Sequence, residues 1–208
     1  MIFVERPDRM RVDAFAFGNL IQSLRANGDR FSLLQGRQYV TGPARPCVAQ
    51  QLLGMPLSSR DFLAILTGSA PMLSDRMSSP RWENGRYVVD VEGDAGARER
   101  VEFDVPDAQR RSPADQQDVR VRRVVLRDAQ GVRGEITYEG YHLVQGTEFP
   151  ERVRIVMPRD QVDSQLRFDE IVPNYTIPPD PNDPDAPAPD PFQQNPPAGA
   201  EISTIDCT

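Results

Sequence analysis

Between Arg9 and Gly68 a run of short alternating segments hands over to two compact apolar helical patterns, and that order constrains the fold more than any other feature. Arg9–Phe17, Leu20–Ala26 and Phe31–Leu34 alternate like half-buried strands and are separated by the turn-forming Gly18-Asn19 and Asn27-Gly28-Asp29. An antiparallel meander is predicted. Pro46–Gly54 and Pro56–Gly68 follow, each a short helical pattern stopped by glycine. Strands are predicted again at Tyr87–Val91, Arg100–Val105, Val119–Arg127, Gly134–Val144, Arg152–Met157 and Gln165–Val172, which makes a second meander. About nine or ten strands are too many for a small flat sheet and suit one that curls. Val119, Val121 and Val125, like Val153, Ile155 and Met157, read as one apolar face, with Arg120, Arg122, Arg152 and Arg154 on the other. The expected fold class is mainly β (α+β), a strongly curved antiparallel sheet covered by short helices from residues 46–68. A twisted sheet closed on one side by apolar helices can enclose a greasy cavity, so binding of something hydrophobic is the first function to consider.

The chain of 208 residues carries a formal charge of −7, which argues against nucleic acid as a partner because phosphate binding needs a net basic face. All 24 basic residues are arginine. No apolar stretch approaches the roughly 20 residues of a membrane helix. Residues 1–7 lack the pattern of an export signal, yet Ile2-Phe3-Val4 reads as the end of a strand, which points to an earlier strand and any export signal upstream. From Pro173 onward the composition turns proline-rich, so residues 173–208 are expected to be an extended spacer-like tail, with Ala200–Ile205 able to pair at a sheet edge and Phe192 as a local anchor. Residues 1–172 form the domain proper. Cys47 and Cys207 are spaced wrongly for a zinc knuckle or a redox pair. They are either two unrelated thiols or one disulfide stapling the tail to the helical cover, which in the chain-entropy picture adds on the order of 4 kcal/mol.

Catalytic patterns are scarce. The single histidine, His142, lies in a strand pattern with no ligand-spaced cysteine or carboxylate pair beside it and reads as structural. No nucleophile elbow, zinc-protease helix, phosphate loop or dinucleotide fingerprint occurs. No cofactor or metal is expected, and a binding module is favoured over an enzyme.

Arg6–Asp13, Phe17-Gly18, the Ala26–Phe31 hairpin, Tyr39 with Gly42, and Leu57–Gly68 together resemble the outer-membrane lipoprotein carrier and receptor superfamily, LolA and LolB, over residues 2–172. The stretch Phe192–Cys207 is similar in style to the ends of some members. The resemblance implies an unclosed, strongly curved antiparallel half-barrel capped by helices, whose apolar cavity receives lipoprotein acyl chains. It implies a monomer of the Gram-negative cell envelope, periplasmic or at the outer membrane, with lipid or lipoprotein acyl chains as partners and an N-terminal lipid anchor upstream. The cavity-lining residues expected are Met10, Val12, Phe31, Leu33, Val89, Phe103, Val125 and Ile155 from the sheet and Leu52, Phe62 and Leu66 from the helices. The alternative is an envelope structural or interaction protein in which these residues fill a solid core and the tail binds a partner. The receptor's protruding apolar loop has no expected counterpart here, because Gly18-Asn19 and Asn27-Gly28-Asp29 read as tight, polar turns.

Overall fold

The computed structural model describes residues 1–53, 57–71, 73, 76–176 and 190–207, with backbone only for 51–53. Its strands are β1 (Ile2–Glu5), β2 (Arg9–Ala16), β3 (Asn19–Asn27), β4 (Arg30–Gln35), β5 (Gln38–Pro43), β6 (Arg81–Glu83), β7 (Arg86–Glu92), β8 (Arg98–Asp104), β9 (Arg120–Asp128), β10 (Gly131–Glu139), β11 (His142–Val144), β12 (Thr147–Phe149), β13 (Arg152–Met157), β14 (Val162–Arg167) and β15 (Glu201–Thr204). Helices α1 (Pro46–Leu53) and α2 (Ser59–Leu66) interrupt them. The fold is mainly β, with short helices where the glycine-stopped patterns place them. The strands form a six-stranded sheet in the order β1-β2-β3-β4-β5-β15 and a seven-stranded sheet in the order β14-β13-β10-β9-β8-β7-β6, neither closed on itself, with β11-β12 as a separate hairpin. Two compact units result: Met1–Leu63 with Val172–Thr208, and Ala64–Ile171.

In the six-stranded sheet, hairpins generate antiparallel neighbours from β1 to β5, and the C-terminal β15 adds itself in parallel to the β5 edge, pairing Ile202 with Tyr39. The edge-pairing segment expected at Ala200–Ile205 is thus a strand. Gly42 makes the close approach possible, since a Cβ built there would collide with the Ile205 carbonyl oxygen.

The seven-stranded sheet has one sealed face and one paved with ion pairs. Val89, Val101, Val124, Ile136 and Ile155 pair successively across β7, β8, β9, β10 and β13, and all but Val89 are fully buried. On the opposite face Arg86 meets Glu102 and Asp104, each at 3.0 Å, Arg123 meets Glu135 at 2.7 Å, and Arg154 meets Asp163 at 2.7 Å. Such half-exposed pairs are worth about 0–1 kcal/mol each, and Val88 and Val125, register partners of Glu102 and Glu135, are buried on the same face. An irregularity between Glu102 and Phe103 inserts one extra residue into β9, so Val121 and Val124 share the sealed face while Val125 pairs with Arg100 and Glu135. Strict alternation, which put Val125 beside Val121 on the cavity side, is corrected by this bulge. No helix among the described residues is long and apolar enough to cross a membrane.

Candidate functional site

The register of β2 to β5 sets Met10, Ala26, Phe31 and Gly42 in one cross-strand row and Val12, Leu24, Leu33 and Val40 in the next. Side chains two apart along a strand share a face, so these rows form one apolar floor. Above it, α1 begins with Pro46, whose missing N–H costs nothing at a helix start, and buries Val48. The start of α2 is closed by a reciprocal cap. The Asp61 N–H donates to the Ser58 hydroxyl oxygen at 3.1 Å, and the Ser58 N–H and O–H donate to the Asp61 carboxylate at 3.1 and 2.7 Å. That cap fixes Leu57 and Phe62 over the floor.

Floor and helices enclose a pocket lined by Met10, Leu24, Ala26, Phe31, Pro43, Val48, Ala49, Leu57 and Phe62, with Ala44, Arg45, Ser58 and Ser59 completing its wall. Counting its open mouth it holds about 500 Å³ free of atoms, and about 50 Å³ of that admits the centre of a water molecule. The Ser58 hydroxyl is committed to Asp61, and Arg45 is the only charged residue among the described lining residues. Such a lining offers burial to hydrocarbon, about 0.8 kcal/mol per methylene, and little to a polar molecule.

Of the residues expected to line a cavity, Met10, Phe31 and Phe62 come together here. Val12 and Leu33 lie in the adjacent row of the same floor, outside the pocket wall. Leu52 belongs to α1, but its side chain lies outside the described residues. Leu66 is buried at the end of α2. Val89, Phe103 and Ile155 share the sealed side of the seven-stranded sheet, and Val125 sits on the ion-pair side. Sequence reasoning missed Leu24, Ala26, Val48, Ala49 and Leu57. Leu24 and Ala26 escaped it because the tight turn at Phe17-Gly18 would by itself set Ser23 and Arg25 opposite Val12 and Met10; a register shift between Ala14 and Phe15, with Ile21 as the extra residue of β3, brings Leu24 and Ala26 there instead.

The other face of the six-stranded sheet is polar and is covered by the chain's own tail. Arg9 pairs with Asp190 at 2.5 Å and lies 4.5 Å over the buried Phe192 ring. Arg25 donates to the Gln193 carbonyl, the Tyr39 hydroxyl to the Gln194 carbonyl at 2.6 Å, and a disulfide joins Cys207 to Cys47 in α1. The segment is a strap rather than a spacer over residues 190–207, and Phe192 is its anchor.

The β2–β3 turn also departs from expectation. Its central residues are Phe17 (φ 50°) and Gly18 (φ 78°), the two left-handed positions of a tight hairpin, and Asn19 already opens β3. Phe17 is 104% exposed, and Phe15, Leu20 and Ile21 are 50%, 48% and 50% exposed around it. The turn is tight, but its tip is apolar. A bulky residue held in the left-handed region costs about 1–2 kcal/mol, a strain that tends to persist where a side chain is used.

A second concavity, in the seven-stranded unit, is lined by Asp104, Asp107, Arg110, Arg120, Arg122 and Tyr141. Its charges answer one another: Arg120 grips Glu148, Arg122 donates to the Tyr138 carbonyl at 2.6 Å, and Arg110 pairs with Asp107 at 3.0 Å. Burial pushes the Tyr141 phenol well above its ordinary range, and its hydroxyl donates to the Val121 carbonyl at 2.6 Å, which holds it neutral. His142 is exposed. Among the described residues no cluster of His, Cys, Asp or Glu is arranged to hold a metal ion.

No family model matches the sequence, and no curated protein is significantly similar to it. Among solved structures, the chain is similar to a LolA superfamily protein from Nitrosomonas europaea, at 11% identity and a TM-score of 0.46, over 75% of this chain and 67% of that one.

Proposed function

We propose that this protein binds lipid acyl chains, without covalent chemistry, as a carrier or receptor for lipid-modified cargo in the Gram-negative cell envelope. The apolar pocket between the six-stranded sheet and its helices carries the reading. The disulfide supports an oxidising compartment such as the periplasm. The sequence resemblance to the lipoprotein carriers and receptors points the same way. A chain end inserted in the pocket would be withdrawn from water yet held by few methylenes, which suits transfer better than storage. The apolar hairpin tip supplies the membrane contact: Phe15, Phe17, Leu20 and Ile21 dip into a lipid surface while the pocket receives or releases its chain. The small deep space of the pocket favours a second reading, an envelope structural protein with a filled core.

One titration separates them. Delipidated protein is mixed with a fluorescent fatty-acid probe, and Ala49→Phe, which pushes a ring into the pocket from α1, is compared with the parent. Displacing two methylenes' worth of contact weakens uptake by about tenfold, with the circular dichroism spectrum unchanged. Absence of uptake by the parent chain selects the filled-core reading. For the hairpin, Phe17→Gly is expected to weaken co-sedimentation with anionic lipid vesicles by about tenfold, from the loss of one buried aromatic side chain. Relief of left-handed strain keeps its melting temperature level or raises it. Unaltered vesicle binding removes the hairpin from the proposal.

A further inference from the structure

The pocket wall includes an arginine whose guanidinium the fold leaves loosely paired. Arg45 sits in the link between β5 and α1, and its backbone is pinned: its N–H donates to the Pro43 carbonyl at 2.9 Å, and its own carbonyl accepts from the Val48 and Ala49 N–H groups, each at 3.0 Å. The root of the side chain is therefore fixed beside Val48 and Ala49, both in the pocket wall, while the side chain itself is 63% exposed. Its carboxylate neighbour is Asp206, at 3.9 Å, the far limit of an ion pair, and the Asp206 Oδ1 atom already accepts the Cys207 N–H at 2.7 Å. Arg154, by contrast, grips Asp163 through two hydrogen bonds of 2.8 and 2.7 Å. The first turn of α1 contains no acidic residue, so no carboxylate of its own offsets the positive end of the helix beside Arg45.

Resting on the acyl-chain reading above, we propose that the pocket selects amphiphiles whose polar end is anionic, with Arg45 as the specificity-determining residue. The chain end occupies the apolar wall, and the carboxylate or phosphate displaces Asp206 from the Arg45 guanidinium, whose planar fork matches either group through two parallel hydrogen bonds. Asp206 is then a built-in competitor. Its withdrawal strengthens binding, and because it adjoins Cys207, the strap's disulfide sets how closely that competitor is held to the mouth.

The experiment titrates the intact, delipidated, oxidised protein with decanoate, decyl phosphate, decanol and decyltrimethylammonium, which share one tail and differ in head. The parent chain binds the two anions about fivefold more tightly than decanol, and the cation more weakly than decanol, with the difference shrinking at high salt. Arg45→Gln abolishes the preference for anions, so that decanoate and decyl phosphate bind no more tightly than decanol to the same variant. Asp206→Asn raises anion affinity relative to decanol by about twofold to threefold. The relative strengths of decanoate and decyl phosphate tell whether a fatty carboxylate or a phosphate head is the better match. Equal affinity for decanol and decanoate in the parent chain overturns the proposal while the acyl-chain reading stands. So does an anion preference that survives Arg45→Gln. If none of the four amphiphiles binds, the pocket reading fails and this inference fails with it.

Discussion

Serine in place of Cys207 is expected to cost the six-stranded unit about 4 kcal/mol, the largest effect of any single change considered for this chain. The bridge closes a span of 160 residues, for which the chain-entropy relation gives about 5 kcal/mol if everything between Cys47 and Cys207 unfolds. The seven-stranded unit lies wholly inside that span. If it stays folded while the other unfolds, the free loop shrinks to roughly 50 residues, those of Cys47–Leu63 and Val172–Cys207, and the figure falls to about 4 kcal/mol. The choice of probe follows from the same division. Trp82, the only tryptophan, belongs to the seven-stranded unit, so its fluorescence reports the part that the bridge affects least. Urea unfolding followed by hydrogen exchange at the β2–β5 amides should shift to lower denaturant in Cys207→Ser, or on reduction of the parent chain, ahead of the Trp82 signal. Coincident transitions in both proteins, with no shift, would show that the strap's noncovalent contacts suffice: β15 on β5, Phe192 beneath Arg9, and Tyr39 on the Gln194 carbonyl.

What the sequence displays and what it conceals divide along the range of the interactions. Alternation and turn residues are local, and they located β2, β3, β4, the helices and most later strands within a few residues. They failed where one residue changes the count. The extra residue in β9 turns Val125 to the ion-pair face, and the left-handed pair at Phe17-Gly18, rather than Gly18-Asn19, exposes an aromatic side chain at a tip that the composition of the turn made look polar. The apolar floor was half legible, because Met10 and Phe31 stand out by size, whereas Ala26 and Ala49 matter by being small enough to leave space. The strap was hardest to foresee. Proline density says only that a segment will not be a helix or a central strand. Nothing local in Asp190–Gln194 announces that Arg9, Arg25 and Tyr39, distant in sequence, are arrayed on one sheet face to receive it.

That face also holds a buried charge, Asp13. The Asp13 carboxylate is fully buried between β2 and β3. The Arg11 Nε–H donates to it at 2.7 Å, a second Arg11 nitrogen lies 2.6 Å away, and the Ser23 hydroxyl donates to it at 2.7 Å. Burial alone would raise its pKa, but the hydrogen bonds from Arg11 and Ser23 and the charges of Arg11 and Arg25 outweigh burial and hold it below its ordinary 3.8. Arg25, whose Nε has no hydrogen-bond partner among the described residues, is pushed down by burial and then by the Arg11 charge, and the Asp13 charge offsets part of that. Asp13 therefore neutralises two crowded guanidiniums. Asp13→Ala leaves Arg11 without its carboxylate partner and Arg25 with less compensation under the strap, and is expected to cost about 3 kcal/mol, at the low end for a broken buried pair because Arg11 keeps some solvent access. The pH dependence has a definite sign. A carboxylate whose folded pKa lies below its unfolded value stabilises the fold at every pH above the unfolded value, and loses that contribution as pH falls through the folded value. The parent chain should thus lose stability from about pH 4 downward, with a slope that Asp13→Ala lessens. Urea midpoints from far-ultraviolet circular dichroism between neutral pH and the acid limit measure it. The double variant Arg11→Met/Asp13→Leu, which replaces the pair by apolar side chains, should recover much of the loss at neutral pH and show the flattened acid limb. A double variant no more stable than Asp13→Ala would mean that the site's contribution lies in Ser23 and the strap above it rather than in the pairing of charge.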